Sequence, residues 1–390
     1  MKILWVCSWY PSDGNPLNGS FFREQVGMLA DAGHKVTVVG LEPQFIAYWR
    51  GPQISVSQEG KIKVWRLRVP SWPIGFRFFE RVHYRLLAKK LKKRGLFSSS
   101  NPELIHAHSI YPGLLFAAAL RSESDSEVPM LLTEHRPSSI KRPTSGFRGR
   151  AIKQAVQECA QHIVVSTPFA KILKSHWDSN DWAVIGLPVP DKFFSQKHYE
   201  NPEPVILHVS SLDENKAPSD LLKAAKQLAS SGQKFRLRIV GGAPELIDSL
   251  KQQSIELGIE NITEFVGKVS REQIPEEMAS ADLFVLPSIT EAGGTVLSEA
   301  QAAGTPVVAT KTWAGEYSVL PETGRLAEIS NPDSLAKALE EVLSGIKTGH
   351  YQREVIRKTA ETRFSEKAFV KQHENVYQKA LELTKKEDPR

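Results

Sequence analysis

Short apolar runs alternate along this chain with longer stretches whose apolar positions recur at helical spacing. Residues 3–7 (ILWVC) are uninterruptedly apolar, turn polar at Ser8 and break at Pro11. With a single lysine before it, that run predicts a buried strand and not a secretory leader. A helical pattern over 21–32 follows, then a second strand at 35–40 (KVTVVG). Further strands are predicted at 104–108, 130–133 and 163–166, each flanked by helical stretches. Such βαβ alternation calls for a parallel sheet. Periodicity lapses over 188–204, where four prolines fall, and a linker is placed there. The alternation then restarts, with strands at 205–209, 236–240, 263–266, 283–286 and 306–309. Helices are expected at 218–230, 244–257, 271–280 and 295–303, and the last fifty residues read mostly helical, beginning with 332–343. The pattern predicts two doubly wound α/β domains joined by a hinge, with a ligand cleft between them at the strands' C-terminal ends.

Length agrees: 390 residues suit two or three domains. A chain this size buries a core that needs neither disulfide nor metal. Its two cysteines, Cys7 and Cys159, lie far apart with no CxxC pattern, which points to a reducing compartment. The longest lipid-like run, 114–120, is far short of the ~20 apolar residues that span a bilayer. The expectation is a cytoplasmic protein. Charge adds an asymmetry. Residues 1–195 hold 26 Lys+Arg against 15 Asp+Glu, while residues 196–390 hold 24 against 29. A basic first half implies an anionic partner: nucleic acid, a phospholipid surface or a phosphorylated substrate.

Neither a G-x-G-x-x-G fingerprint after the first strand nor a P-loop occurs, which weighs against a dehydrogenase or an ATPase. The informative stretch is 287–310, PSITEAGGTVLSEAQAAGTPVVAT. A predicted strand ends there in a loop with Glu291 and Gly293–Gly294, then opens a helix carrying Glu299. Glycines at a strand–helix junction let backbone N–H groups approach an anion, and the helix N-terminus adds partial positive charge. A phosphate is expected beside Gly294 and Thr295. Glu291 would then accept hydrogen bonds from sugar hydroxyls and Glu299 from a ribose. Taken alone, two acids at this spacing fit a capping loop with a solvent-facing acid better.

They do not stand alone. Glu291, Ala292-Gly293-Gly294, Glu299, Ala300, Ala302, Gly304 and 306–309 (PVVA) resemble the signature of the retaining nucleotide-sugar glycosyltransferases of the "glycosyl transferases group 1" family. Upstream, 262–288 resembles the family's strand–helix–strand before the donor site. Downstream, Ala314-Gly315-Glu316 and 324–339 resemble its later passages. GSFFREQVGMLADAGHKVTVVG (19–40) resembles the first loop and helix. IHAHSIYPG (105–113) and LLTEHR (131–136) resemble two histidine-bearing acceptor-domain strands. The resemblance covers nearly the whole chain.

It implies two Rossmann-like domains (the GT-B fold), with the last helix crossing back to the first. The acceptor domain would be 1–195 plus a helix at about 370–390, and the donor domain 196–369. It implies transfer of a sugar from a nucleoside diphosphate with retention, without metal or other cofactor, because protein cations and helix dipoles stabilise the leaving diphosphate. Lys216 matches the family's diphosphate-binding lysine. Five residues earlier the family has an arginine where this chain has Ser211, so half of the cationic clamp is unaccounted for. Ala292 and Gly293 replace the usual Gly and Phe. His135 matches a histidine near the reaction centre, and His108 is the weaker candidate. Gly19, followed by Ser20 in place of a second glycine, matches the loop that approaches the diphosphate. Gly241, Gly242 and Val269 match backbone positions near the nucleoside.

Eight basic residues lie from Arg77 to Arg94, with one acid, Glu80. Arg77, Arg81, Arg85, Lys89 and Lys93 are spaced by four and form one helical stripe, with Phe78, Phe79, Val82, Leu86 and Leu87 expected on the apolar side. In this family such a helix often docks on the inner membrane leaflet; the alternative is a solvated face. Nucleic acid is disfavoured, since no aromatic–basic module accompanies the stripe. The expectation is a cytoplasmic enzyme, peripheral on the inner membrane face. It would move a hexose or N-acetylhexosamine, from a UDP-sugar by preference, to a lipid-linked or surface-polysaccharide acceptor. The alternatives are a sugar-nucleotide 2-epimerase of similar fold and a non-catalytic subunit that binds nucleotide or glycan.

Overall fold

The computed structural model describes the chain except residues 13–14, 16–17, 45–52, 71–79, 126 and 388–390. The chain divides into two compact units. The first comprises Met1–Val165, Phe169–Ile185 and Val370–Arg390; the second comprises Ser166–Pro168 and Gly186–Phe369.

The first unit holds an eight-stranded sheet of β1 (Lys2–Cys7), β2 (Lys35–Gln44), β3 (Gln53–Glu59), β4 (Ile62–Pro70), β5 (Leu104–His108), β6 (Met130–Glu134), β7 (Gln161–Val164) and β8 (Trp182–Val184), in the order β3-β4-β2-β1-β5-β6-β7-β8. All neighbours are parallel except β3 and β4, an antiparallel hairpin at one edge that turns at Gly60. The hydrophobic pattern did not reveal this hairpin. β3 is an edge strand with no fully buried residue, and it contributes almost nothing to the apolar core that pattern reading detects. β7 starts at Gln161, earlier than the apolar run suggested, because Gln161 and His162 already pair with β6 and β8.

The second unit is a six-stranded, all-parallel sheet: β9 (Val205–Ser210), β10 (Arg236–Gly241), β11 (Thr263–Gly267), β12 (Leu283–Leu286), β13 (Val307–Thr310) and β14 (Gly324–Ala327), in the order β11-β10-β9-β12-β13-β14. Successive strand residues feed opposite faces. Ile206, Val285 and Val308 join one core, while Leu207, Phe284, Val307 and Ala309 join the other. Burial on both faces is why these strands read as unbroken apolar runs. The connections reverse direction between β9 and β12, and in the first sheet between β1 and β5. Such switch points open a crevice at the strands' C-terminal ends.

The last helix, Glu366–Glu387, leaves the second unit and from Val370 belongs to the first. Tyr377 anchors it, its hydroxyl 2.9 Å from His106 Nδ1 on β5, and Glu374 Oε1 lies 3.1 Å from His34 Nε2. The basic helix is Glu80–Lys93; Arg77, Phe78 and Phe79 lie outside the described residues. Its buried face is Glu80, Tyr84, Leu87, Ala88 and Leu91. Val82 and Leu86, expected on the apolar side, are instead 52% and 61% exposed, next to Arg85 and Lys89. The packed face is set by Tyr84 and Leu91, on the side of the helix opposite Val82 and Leu86. Among the described residues no helix is long and apolar enough to cross a membrane.

Candidate active site

In the second unit the loops after β9 and β12 are laced together by one residue, Asn215. Asn215 Oδ1 accepts the Thr290 N–H at 3.0 Å, Asn215 Nδ2 donates to the Thr290 carbonyl at 3.0 Å, and Ile289 N–H donates to the Asn215 carbonyl at 2.8 Å. This seam sets Lys216 against Glu291, with Nζ 2.5 Å from Oε2. Both side chains are about one-fifth exposed, so the pair faces the crevice rather than the core. The Lys216 charge, after burial, helps hold His208 below its usual range, at about 4.

Past Glu291 the chain turns through Gly294 into the helix Thr295–Ala302. Gly294 has φ 55°, and a Cβ there would lie 2.8 Å from the Ala314 Cβ. Only glycine fits without strain. The N–H groups of Gly294, Thr295 and Val296 have no acceptor among the described residues. They are the unsatisfied donors of a helix N-terminus, oriented to take an anion.

Glu299, one turn on, is 1% exposed. Its Oε1 accepts from Arg271 Nη2, and its Oε2 is buried with no hydrogen-bond partner among the described residues. A buried acceptor without a donor costs free energy that a ligand hydroxyl would recover. Sequence reasoning did not single out Arg271; it stands outside the 287–310 motif, and only the fold carries it to Glu299. Asn215 was missed for the same reason, since its partners are 75 residues away.

Ser211 donates to Asp213 Oδ2 at 2.5 Å, so the position where a cation was expected closes on its own turn. Gly241 ends β10 and Gly242 follows it, with φ 109° and 80°. A Cβ on Gly241 would meet the Ser210 carbonyl oxygen at 1.9 Å, and one on Gly242 would meet Leu212 Cδ1 at 2.6 Å. Their smallness lets the β9 and β10 loops touch. Val269 is half-buried against the core that includes Phe284.

In the first unit, Gly19 (φ 83°) starts the helix Ser20–Asp31, and a Cβ there would come within 2.8 Å of the Trp9 ring. His135 follows β6. Its Nε2 lies 3.2 Å from His108 Nδ1, at the end of β5, and the rings are stacked at 5.5 Å. His108 in turn stacks on Trp5 at 3.8 Å, and Phe22 sets its edge against both imidazoles. Burial foremost holds His135 down to about 3, with the charges of His373 and Arg136 adding to it; burial depresses His108 as well. His135 is therefore neutral at physiological pH, and its buried Nδ1 has no hydrogen-bond partner among the described residues. The buried carboxylate of Glu134 shapes this turn, accepting the N–H groups of Ile110, His135 and Arg136 at 2.8, 2.7 and 2.7 Å.

Against known proteins, residues 190–361 match the family described as "Glycosyl transferases group 1", and residues 19–192 match "Glycosyltransferase Family 4". TuaC of Bacillus subtilis, named for teichuronic acid biosynthesis, is 28% identical over 337 residues, 80% of this chain and 81% of that protein. A D-inositol 3-phosphate glycosyltransferase of Mycobacteroides abscessus is 28% identical over 265 residues, 62% of this chain. That match spans 58% of the relative, less than two thirds of its length. The solved structure of Anabaena Alr3699/HepE in complex with UDP is alike in fold, with a TM-score of 0.69 at 18% identity, over 96% of this chain and 99% of that one.

Proposed function

Since the chain belongs to the glycosyl transferases group 1 family, it is a glycosyltransferase of GT-B fold, and we propose that it moves a hexose or N-acetylhexosamine from a UDP-sugar, with retention, to a lipid-linked or surface-polysaccharide acceptor. One observation carries the donor half of this reading: Glu299 Oε2, buried and without a donor, beside a helix N-terminus with unsatisfied N–H groups. A carboxylate next to an anion cradle is the complement of a ribose joined to a diphosphate.

In this reading Glu299 holds the ribose. Gly293, Gly294 and Thr295 cradle the diphosphate through their backbone, with Gly19, Ser211, Gly241 and Val269 as further donor contacts. Lys216 stabilises the charge that develops on the leaving diphosphate. Glu291 binds donor-sugar hydroxyls, so its pair with Lys216 opens when donor enters, and each side chain turns to its own ligand. His135 serves the reaction centre as a neutral hydrogen-bonding group. The departing diphosphate takes the acceptor proton itself. The UDP in the Anabaena complex and the teichuronic acid in the name of the Bacillus relative support the donor and acceptor classes. Exposed Val82 and Leu86 among Arg85 and Lys89 support docking on an anionic inner leaflet.

The experiment is UDP binding to the wild type and to Glu299→Ala. At 100 times its Kd, UDP stabilises by about 2.7 kcal/mol, a rise of roughly 5–10 °C in Tm for a unit of this size. Glu299→Ala should fold, because the Arg271 it leaves behind is 42% exposed and can be solvated, and it should lose most of that rise. A wild type that shows no shift with millimolar UDP or GDP would remove the donor assignment. Product release from a panel of nucleotide sugars, with lipid-linked acceptors present, then identifies the sugar.

A further inference from the structure

The first unit carries a cluster of arginines that the donor chemistry does not use. Arg136 and Arg142 bracket the short 3-10 helix Pro137–Lys141. Backbone bonds fix both ends of it: Arg136 N–H donates to Glu134 Oε1 at 2.7 Å, and His176 Nε2 lies 2.9 Å from the Arg142 carbonyl. The two guanidiniums are held by rings and not by carboxylates. Arg136 stacks on Trp9 at 3.6 Å and Arg142 on Tyr111 at 4.4 Å. Arg148 faces the same Tyr111 ring at 4.7 Å. Arg148 is paired, with its Nε 3.0 Å and Nη2 2.8 Å from Glu80 Oε2, and Tyr111 donates to Glu80 Oε1 at 2.5 Å.

The balance of charge is uneven. Glu80 is taken by Arg148 and Tyr111, and Glu134 is spent on three backbone N–H groups. Arg136 and Arg142 have no hydrogen-bond acceptor for their guanidinium N–H groups among the described residues. Burial pushes both below the usual arginine range. Glu134 opposes this at Arg136, and Tyr111, Glu134 and Glu80 oppose it at Arg142, without offsetting it, while the like charges of Arg142 and Arg148 add to it at Arg136 and Arg142 respectively. Stacking fixes the plane of a guanidinium and leaves its N–H edge free, which suits bidentate recognition of phosphate oxygens. Half-buried cations that repel one another are stabilised by a multivalent anion.

We infer that Arg136 and Arg142, supported by Trp9, Tyr111 and Arg148, form an anion site on the first unit that grips a phosphate or diphosphate ester carried by the acceptor. The word acceptor rests on the glycosyltransferase reading above; the anion site does not. The ester could belong to a lipid diphosphate or to a soluble sugar phosphate, and both present the same oxygens.

The test measures calorimetric binding to the full chain with UDP saturating, so that the donor site is filled. The probes are farnesyl diphosphate against farnesol, and glucose 1-phosphate against glucose. At least one phosphorylated probe should bind at least ten times more tightly than its neutral partner, and which one does identifies the source. Arg136→Gln and Arg142→Gln should each weaken that probe at least tenfold, with UDP affinity unchanged; Arg142→Lys should recover only part, since lysine lacks the fork. Equal binding of charged and neutral probes, no binding of either phosphorylated probe, or glutamine variants that bind like wild type would overturn the assignment. Should the variants not fold, modification of the wild type by phenylglyoxal gives the answer. The phosphorylated probe should protect Arg136 and Arg142, and unprotected arginines would refute the site. A wild type that binds the phosphorylated probe but not UDP would sink the donor reading and leave this one standing.

Discussion

Lys216 and Glu291 are two assignments joined by one ion pair of 2.5 Å. As a stabilising contact it is minor: a pair with both partners a fifth exposed contributes on the order of 0–1 kcal/mol. As chemistry it is not minor. With Ser211 turned onto Asp213, the proposed donor site relies on Lys216 as its diphosphate cation. Lys216→Ala should lower turnover by at least about 10²-fold, the scale of losing one preorganised donor, with little change in Tm. Glu291→Ala should cut transfer and leave UDP affinity nearly intact. Because the two side chains share a contact, the double variant should fall short of the product of the single effects. Steady-state transfer for the three variants, with calorimetric UDP binding, checks this. Near-wild-type turnover in Lys216→Ala would leave the diphosphate to the backbone of Gly293–Thr295.

At the scale of one element, the helix Glu80–Lys93 shows two faces with different tasks. Tyr84, Leu87, Ala88 and Leu91 pack inward, and Glu80 at its start is buried against Arg148. Outward it presents Arg85, Lys89 and Lys90 together with Val82 and Leu86. Two exposed aliphatic side chains amid cations suit the boundary of an anionic bilayer, where each basic residue contributes about 1 kcal/mol and the apolar groups can insert. Reversing charge at Arg81, Arg85 and Lys89 should abolish sedimentation with vesicles rich in anionic lipid, and Val82→Asn with Leu86→Asn should weaken it without changing net basic charge on the stripe. Turnover of a short soluble acceptor should survive both sets. Vesicle binding that persists in the charge-reversed protein would reduce this face to a solvated surface.

Across the whole molecule, buried histidines are unequally shared. The first unit holds half-buried His83 and buried His106, His108, His135 and His162, all with depressed pKa, burial being the main cause in each. His208, held at about 4, lies in the second. A histidine depressed in the folded state stays neutral there while the unfolded chain protonates near pH 6.5. Its stabilisation is present above that pH and is lost as pH falls toward the folded value, about 3 for His135. The loss is about 1.4 kcal/mol per pH unit per histidine. Glu134, raised by burial, works in the opposite sense. The first unit should therefore lose more stability than the second between pH 7 and 5.5. Hydrogen exchange read by mass spectrometry at the two pH values would show earlier opening of peptides from β5 and β6 than of those from β9 and β12. Equal losses in both units would contradict the assignment of neutral, buried imidazoles.

The sequence by itself determined the parallel centre of both sheets of this protein, because strands buried on both faces must be written as continuous apolar runs. It also determined the strand–helix junction at Gly294, because a left-handed turn pressed against Ala314 admits only glycine and so leaves its mark in the motif. The exposed edge strand β3 left no such mark, since a strand outside the core is under no obligation to be apolar. Pairings across long stretches of chain were decided by tertiary structure alone: Asn215 with Thr290, Arg271 with Glu299, and the bracket of Arg136 and Arg142 around rings supplied by Trp9 and Tyr111. Local pattern records which face of an element is buried; it does not record which charged group the fold carries to that face.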